Sequence, residues 1–133
     1  MIQYGYTILY VKDIIASITF YEQAFGFKRK FVTPENDYGE INTGTTTLAF
    51  ASIELANSNL KNGFIESQLA KKPFGIELGF VCEKVEEVIK DAIYAGATMV
   101  EEMVEKPWGQ KVAYLKDNNG FLIEICSPIK ASE

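Results

Sequence analysis

Two glutamates, Glu77 and Glu124, stand on strand-like runs of a chain that has no histidine. Side chains alternate between the two faces of a strand. In 76–82 the residues Ile76, Leu78, Phe80 and Cys82 therefore share one apolar face, with Glu77, Gly79 and Val81 on the other. In 121–126 the apolar face is Phe121, Ile123 and Ile125, with Leu122, Glu124 and Cys126 opposite. Two carboxylates placed this way have several chemistries open to them. In a partly apolar pocket they can raise one another's pKa and serve as acid and base. They can bind a cationic group of a ligand through charge-assisted hydrogen bonds, or help hold a hard cation such as Mg²⁺ or Mn²⁺. They can equally face solvent or pair with lysines. The lack of histidine removes Ser-His and Cys-His nucleophilic sites, and with them the imidazole on which zinc and transition-metal sites lean. No phosphate-cradling glycine pattern and no G-x-S-x-G elbow occurs.

The single tryptophan, Trp108, lies in the loop Pro107-Trp108-Gly109. It can offer an aromatic platform to a planar ligand, or pack against the sheet or a partner subunit. Tyr38 and Tyr114, both on strand-like runs, are weaker versions of the same case. Cys82 and Cys126 fall on opposite faces, where a disulfide is geometrically awkward, so they read as free, buried thiols.

The elements that must position these groups come as a plan used twice. Residues 6–13 alternate as a strand ending at Asp13, a good helix N-cap. Ile14, Ile18, Tyr21 and Phe25 then follow at helical spacing up to Gly26. Strand-like runs at about 27–34, 38–43 and 46–52 complete the first copy. The second begins with the strand at 77–82 and a helical stripe of Val85, Val88, Ile89 and Ala92 ending at Gly96. Its runs at about 98–105, 110–116 and 121–126 are separated by Pro107-Trp108-Gly109 and Asp117-Asn118-Asn119-Gly120, the latter a hairpin signal. Neither copy looks large enough to bury a sheet face alone. The sequence thus predicts an α+β fold: one domain over 1–133, with module one at about 1–55, a connection at about 56–74 holding a short helix near 64–70, and module two at about 75–133.

The 133 residues are 47% hydrophobic and 23% charged, as expected of a soluble globular protein. A net charge of −5 without a basic stripe argues against nucleic acid as a partner. It suits solubility, or a cleft that focuses cationic ligands. With no apolar run of membrane-spanning length, no leader and no lipidation motif, the expectation is a cytoplasmic protein with no membrane partner.

The stretch L-Y-V-K-D-I-I-A-S-I-T-F-Y-E-Q-A-F-G-F at 9–27 resembles the first-module signature of the glyoxalase/bleomycin resistance protein/dioxygenase (vicinal oxygen chelate) superfamily. Pro107-Trp108-Gly109 followed by K-D-N-N-G-F-L-I-E-I at 116–125 is similar to its second-module ending, with Asp-Asn-Asn-Gly in place of the usual Asp-Pro-Asp-Gly. The resemblance implies two tandem βαβββ modules forming a cupped mixed sheet with helices on the outer face, a small-molecule site on the inner face, and a homodimer. It also implies four metal-ligand positions in the metal-using relatives. These fall here on Tyr6, Ala49, Glu77 and Glu124, of which only Glu124 matches the usual ligand type.

The expected function is metal-independent binding and sequestration of a small molecule, as in bleomycin resistance, with antibiotic resistance as the setting. The ligand would be cationic or planar, held in the cup by Tyr6, Ala49, Glu77, Trp108, Tyr114 and Glu124. Small inward residues (Thr47, Ala49, Ala51, Gly79) leave it room. No cofactor is expected. The alternative is a glyoxalase- or dioxygenase-like enzyme with a reduced divalent-metal site on Glu77 and Glu124, the two candidate catalytic residues. A third reading is a scaffold or regulatory protein whose cup has lost its ligand.

Overall fold

The structure, a computed structural model, describes residues 1–129; the end of the expected second module, 130–133, lies outside the described residues. The chain divides into two compact units, Met1–Ser67 and Gln68–Glu133. The first holds β1 (Tyr6–Val11), α1 (Ile14–Phe25), β2 (Lys28–Val32), β3 (Tyr38–Asn42), β4 (Thr47–Ser52) and α2 (Ile53–Asn59). The second holds β5 (Glu77–Val81), α3 (Val85–Ala95), β6 (Thr98–Glu105), β7 (Lys111–Lys116) and β8 (Leu122–Cys126). Each unit carries a four-stranded mixed sheet, ordered β1-β4-β3-β2 and β5-β8-β7-β6, in which the first and last strands of the unit pair in parallel. The expected βαβββ plan is therefore present twice.

In the first unit the alternation of β1 and β4 sends Leu9, Val11, Leu48 and Phe50 into a core with Ile14, Ile18 and Tyr21 of α1, all of them buried. The Tyr21 and Phe50 rings meet at 5.4 Å. Asp13 caps α1, its Oδ1 accepting from Ala16 N at 3.0 Å, and Gly26 ends it in the left-handed region at φ 72°. Asp13→Ala, which leaves that amide without its partner, is expected to cost about 1 kcal/mol, read as a lowered urea midpoint at unchanged slope. In the second unit Val85, Ala92, Ala113, Leu115, Ile123 and Ile125 are among the buried residues. Its helix α3 begins at Lys84 without a side-chain cap, and Glu86 and Glu87 in the first turn favour the dipole instead.

The helix in the connection lies elsewhere than expected. Residues 64–70 form no helix; the helical segment is α2, directly after β4. Ser52 starts it, its Oγ accepting from Leu55 N at 3.0 Å, with Glu54 in the first turn. Gly63 at φ 74° then turns the chain and Phe64 packs edge-on against Tyr10 at 4.8 Å. Capping and a ring contact thus decide a region whose composition reads only as polar linker.

The turn between β7 and β8 is organised by Asp117, which is fully buried. Its Oδ1 accepts from Asn119 N at 2.8 Å and Phe121 N at 2.9 Å, an Asx-type turn. Lys116 Nζ donates to the carbonyls of Leu69 and Lys71 at 3.0 and 2.7 Å, which ties the start of the unit to this corner. Among the described residues no helix is long and apolar enough to cross a membrane.

Candidate functional site

The face of the second sheet turned away from α3 gathers the predicted carboxylates. Gly79 of β5 lies directly opposite Glu124 of β8, and Glu124 opposite Tyr114 of β7. Glu77, two residues before Gly79, shares this face and reaches Glu124 diagonally, over a position that has no side chain in the way. A Cβ built at Gly79 would meet nothing within 4 Å, so the space beside the pair is open. Tyr114 Oη donates to Glu124 Oε2 at 3.2 Å. Glu101 of β6 stands opposite Tyr114 and adds a third acidic residue to the same sheet region.

Glu77 and Glu124 form an acid–carboxylate pair. Burial, then a hydrogen bond to Glu124, then the charge of Glu124 hold the Glu77 carboxyl above its usual range. Burial also opposes ionisation of Glu124, but hydrogen bonds from Cys126, Glu77 and Tyr114 and the charge of Lys106 outweigh it, so Glu124 lies below its usual range. Of the two carboxyls Glu77 is thus the one that takes up a proton more readily, and Glu124 the one that ionises more readily. The Tyr114 hydroxyl is raised by burial first and by the two glutamates next, so it remains a donor. Cys126 is pushed up to about 11 by burial, the hydrogen bond to Glu124 and nearby charge. That makes it an inert thiol rather than a nucleophile. Neither cysteine is in a disulfide.

Trp108 belongs to this region through a chain of contacts that its position in the sequence does not reveal. Its indole Nε1 donates to Gln110 Oε1 at 2.9 Å. The Gln110 amide nitrogen donates to Ser127 O at 3.0 Å and also reaches the Cys126 thiol, which in turn meets Glu124. Trp108 is 60% exposed, so the indole is anchored through its edge and largely open to solvent. Gln110 and Lys106 are the residues that sequence reasoning missed here; both flank Trp108 in the β6–β7 loop.

The first unit places Tyr6 and Ala49 on the face opposite α1. Tyr6 pairs with Thr47 and is half exposed, whereas Ala49 pairs with Ile8 and Glu40 and is fully buried. The carboxylate on this face is Glu40, one strand over from the position where the resemblance places a ligand. It accepts from Tyr38 Oη at 2.7 Å and pairs with Lys30 Nζ at 3.6 Å. Lys30 also donates to Thr47 Oγ1 at 3.0 Å. Burial first, and then the bond to and charge of Glu40, raise the Tyr38 hydroxyl. Glu40 could have been found from Y-G-E-I-N in β3, where Gly39 and Ile41 take the core side.

The metal-ligand positions carried over from the resemblance bring a phenol and an alanine on this unit's sheet and two hydrogen-bonded carboxyls on the other. Among the described residues no three His, Cys, Asp or Glu side chains are grouped to hold a metal ion. This donor set does not fit a resident divalent metal. Elsewhere in the first unit an open cleft of about 450 Å³ lies where β1 and β4 end, lined by Lys12, Glu35, Asp37, Ser52, Glu54 and Glu66 among others. None of the sequence-predicted site residues lines it.

Residues 4–130 match the family described as "Glyoxalase-like domain". A glyoxalase-related enzyme from Fulvimarina pelagi is similar in structure, with a TM-score of 0.80 at 20% identity over 96% of this chain and 89% of that one. A glyoxalase/bleomycin resistance protein/dioxygenase family enzyme from Burkholderia phytofirmans PsJN gives 0.78 at 22% identity over 92% and 96%. A hypothetical protein from S. aureus gives 0.80 at 23% identity over 96% and 95%. At such identities the likeness is one of fold. No curated protein matches the chain.

Proposed function

Because the chain belongs to the glyoxalase-like domain family, we propose that it is a small-molecule binding protein of the bleomycin-resistance type, sequestering a cationic, planar ligand without a metal. The observation that carries this reading is the acid–carboxylate pair of Glu77 and Glu124 beside the open position at Gly79. An ammonium or amidinium group entering there meets a carboxylate already oriented by Tyr114, and its positive charge favours the ionised form of Glu77. The exposed, edge-anchored Trp108 offers a planar body something to stack on. The acidic balance of the chain favours the approach of such a ligand. Two free thiols suit a reducing compartment, the cytoplasm.

Tryptophan fluorescence titrated with a panel of cationic, planar antibiotics tests this. The wild type should respond to at least one of them. Gly79→Val should lose that response while its thermal midpoint stays level or rises, since valine suits a strand and enters open space. Silence across the panel, or an unchanged response in Gly79→Val, would sink the reading. The same proton-sharing pair supports a second one, metal-free acid–base catalysis by Glu77 and Glu124. Turnover of a bound panel compound, abolished in Glu77→Gln and insensitive to chelation, would favour it over sequestration. The metal-dependent glyoxalase- or dioxygenase-like alternative instead requires activity that chelation removes.

A further inference from the structure

The four sheet edges differ in charge. Edge strand β1 has no charged residue and β5 has only Glu77. By contrast, edge strand β2 carries Lys28, Arg29 and Lys30 with no acid, and edge strand β6 carries Glu101, Glu102 and Glu105 with no base. Both strands are exposed along most of their length, and apolar side chains stand among the charges: Phe31 is 45% exposed, Val104 51% and Val100 38%. Opposite charge flanking exposed apolar groups is the pattern of a contact with a charged rim and a drier centre.

We propose that the edge of β2 in one copy of the chain docks on the edge of β6 in a second copy. Phe31 meets Val100 and Val104, and the basic side chains face the glutamates. The strands are long enough for this, about 17 Å for β2 and about 26 Å for β6 at strand rise. The contact is made by side chains rather than by a continuous backbone ladder, because bulges interrupt β2 between Arg29 and Phe31 and β6 between Met99 and Glu101 and again before Val104. Such bulges and edge lysines normally guard against indiscriminate pairing; here they leave charge to select the partner. Among the described residues Lys28 makes no ion pair. Arg29 is engaged with Glu22 at 3.0 Å, a partly exposed pair that costs little to reroute, whereas Lys30 stays with Glu40 and Thr47 of its own sheet, so Lys28 and Arg29 carry the contact.

Sedimentation of the full chain over a range of concentration and salt tests the proposal. The wild type should self-associate at low salt and weaken as salt rises. Lys28→Glu with Arg29→Glu makes both edges acidic; Glu102→Lys with Glu105→Lys makes both basic. Each folded double variant alone should associate about tenfold more weakly or less, whereas an equimolar mixture of the two should regain the assembly, since each then presents the other with opposite charge. Lys28→Gln with Glu105→Gln should fall between and is available should a reversal disturb folding. A wild type that remains monomeric, an assembly indifferent to the reversals, or a mixture that stays apart would each overturn it.

Discussion

Gly120→Ala is expected to lower the unfolding free energy by about 3 kcal/mol, out of the roughly 5–15 kcal/mol typical of a domain. Gly120 sits at φ 94° in the turn between β7 and β8, where an L-residue pays roughly 1–2 kcal/mol for the backbone alone. A Cβ there would also come within 2.7 Å of the backbone carbonyl of Gln68. That is a main-chain obstacle, itself fixed because Lys116 grips the Leu69 and Lys71 carbonyls. Relief requires the start of the unit to move, at about 1–3 kcal/mol. Gly26→Ala is the control: its φ is 72° and its surroundings are open, so only the backbone cost of about 1–2 kcal/mol applies. Urea unfolding of both variants checks the difference. Equal losses would mean that the approach of Gln68 contributes nothing.

Glu124→Gln is expected to weaken a bound cationic ligand by about 2 kcal/mol, roughly thirtyfold, because it removes the anion on which Glu77, Tyr114 and Cys126 converge. The wild-type pair also predicts a direction with pH. Glu77, held above its usual range, must lose its proton before both carboxylates can face a cation. Affinity should therefore fall as pH drops through that raised value, and binding near it should release a proton. Calorimetry in buffers of different ionisation enthalpy reads that proton directly. Glu77→Gln should bind without releasing it, and proton release unchanged in Glu77→Gln would place the titration elsewhere. Stability follows the same linkage. A carboxyl raised in the folded state favours folding at low pH, and its contribution is lost as pH rises from the unfolded value through the raised one. Glu124, which is lowered, behaves oppositely and supports folding only above its folded-state value. Exposure of Glu77 keeps its share small.

Much of this site was legible in the linear chain because strands announce their faces. The runs around Glu77 and Glu124 alternate cleanly between apolar and other residues, and both carboxylates lie on the face that alternation assigned them, close enough to share a proton. Tyr114 joined them by the same rule. Trp108 was visible only as an aromatic in a loop. Its link to Glu124 runs through Gln110 and Cys126, side chains brought together by the β7–β8 register rather than by spacing. Glu40 alternates legibly within β3, but its position beside Ala49 depends on how the turn at Thr43–Thr46 sets β3 against β4. The missed helix α2 had its cap in plain view at Ser52. About two turns of helix after a strand give too short a period to stand out from a polar connection.

The duplicated strand–helix–three-strand plan and the absence of imidazole were determined by the sequence alone, since periodicity and composition are local properties of the chain. Which carboxyl ionises more readily was decided only in the folded sheet. Glu77 and Glu124 are the same residue type at equivalent ends of a pattern. Their ionisation parts because Tyr114, Cys126 and Lys106 converge on one of them, and a glycine clears the diagonal between the two.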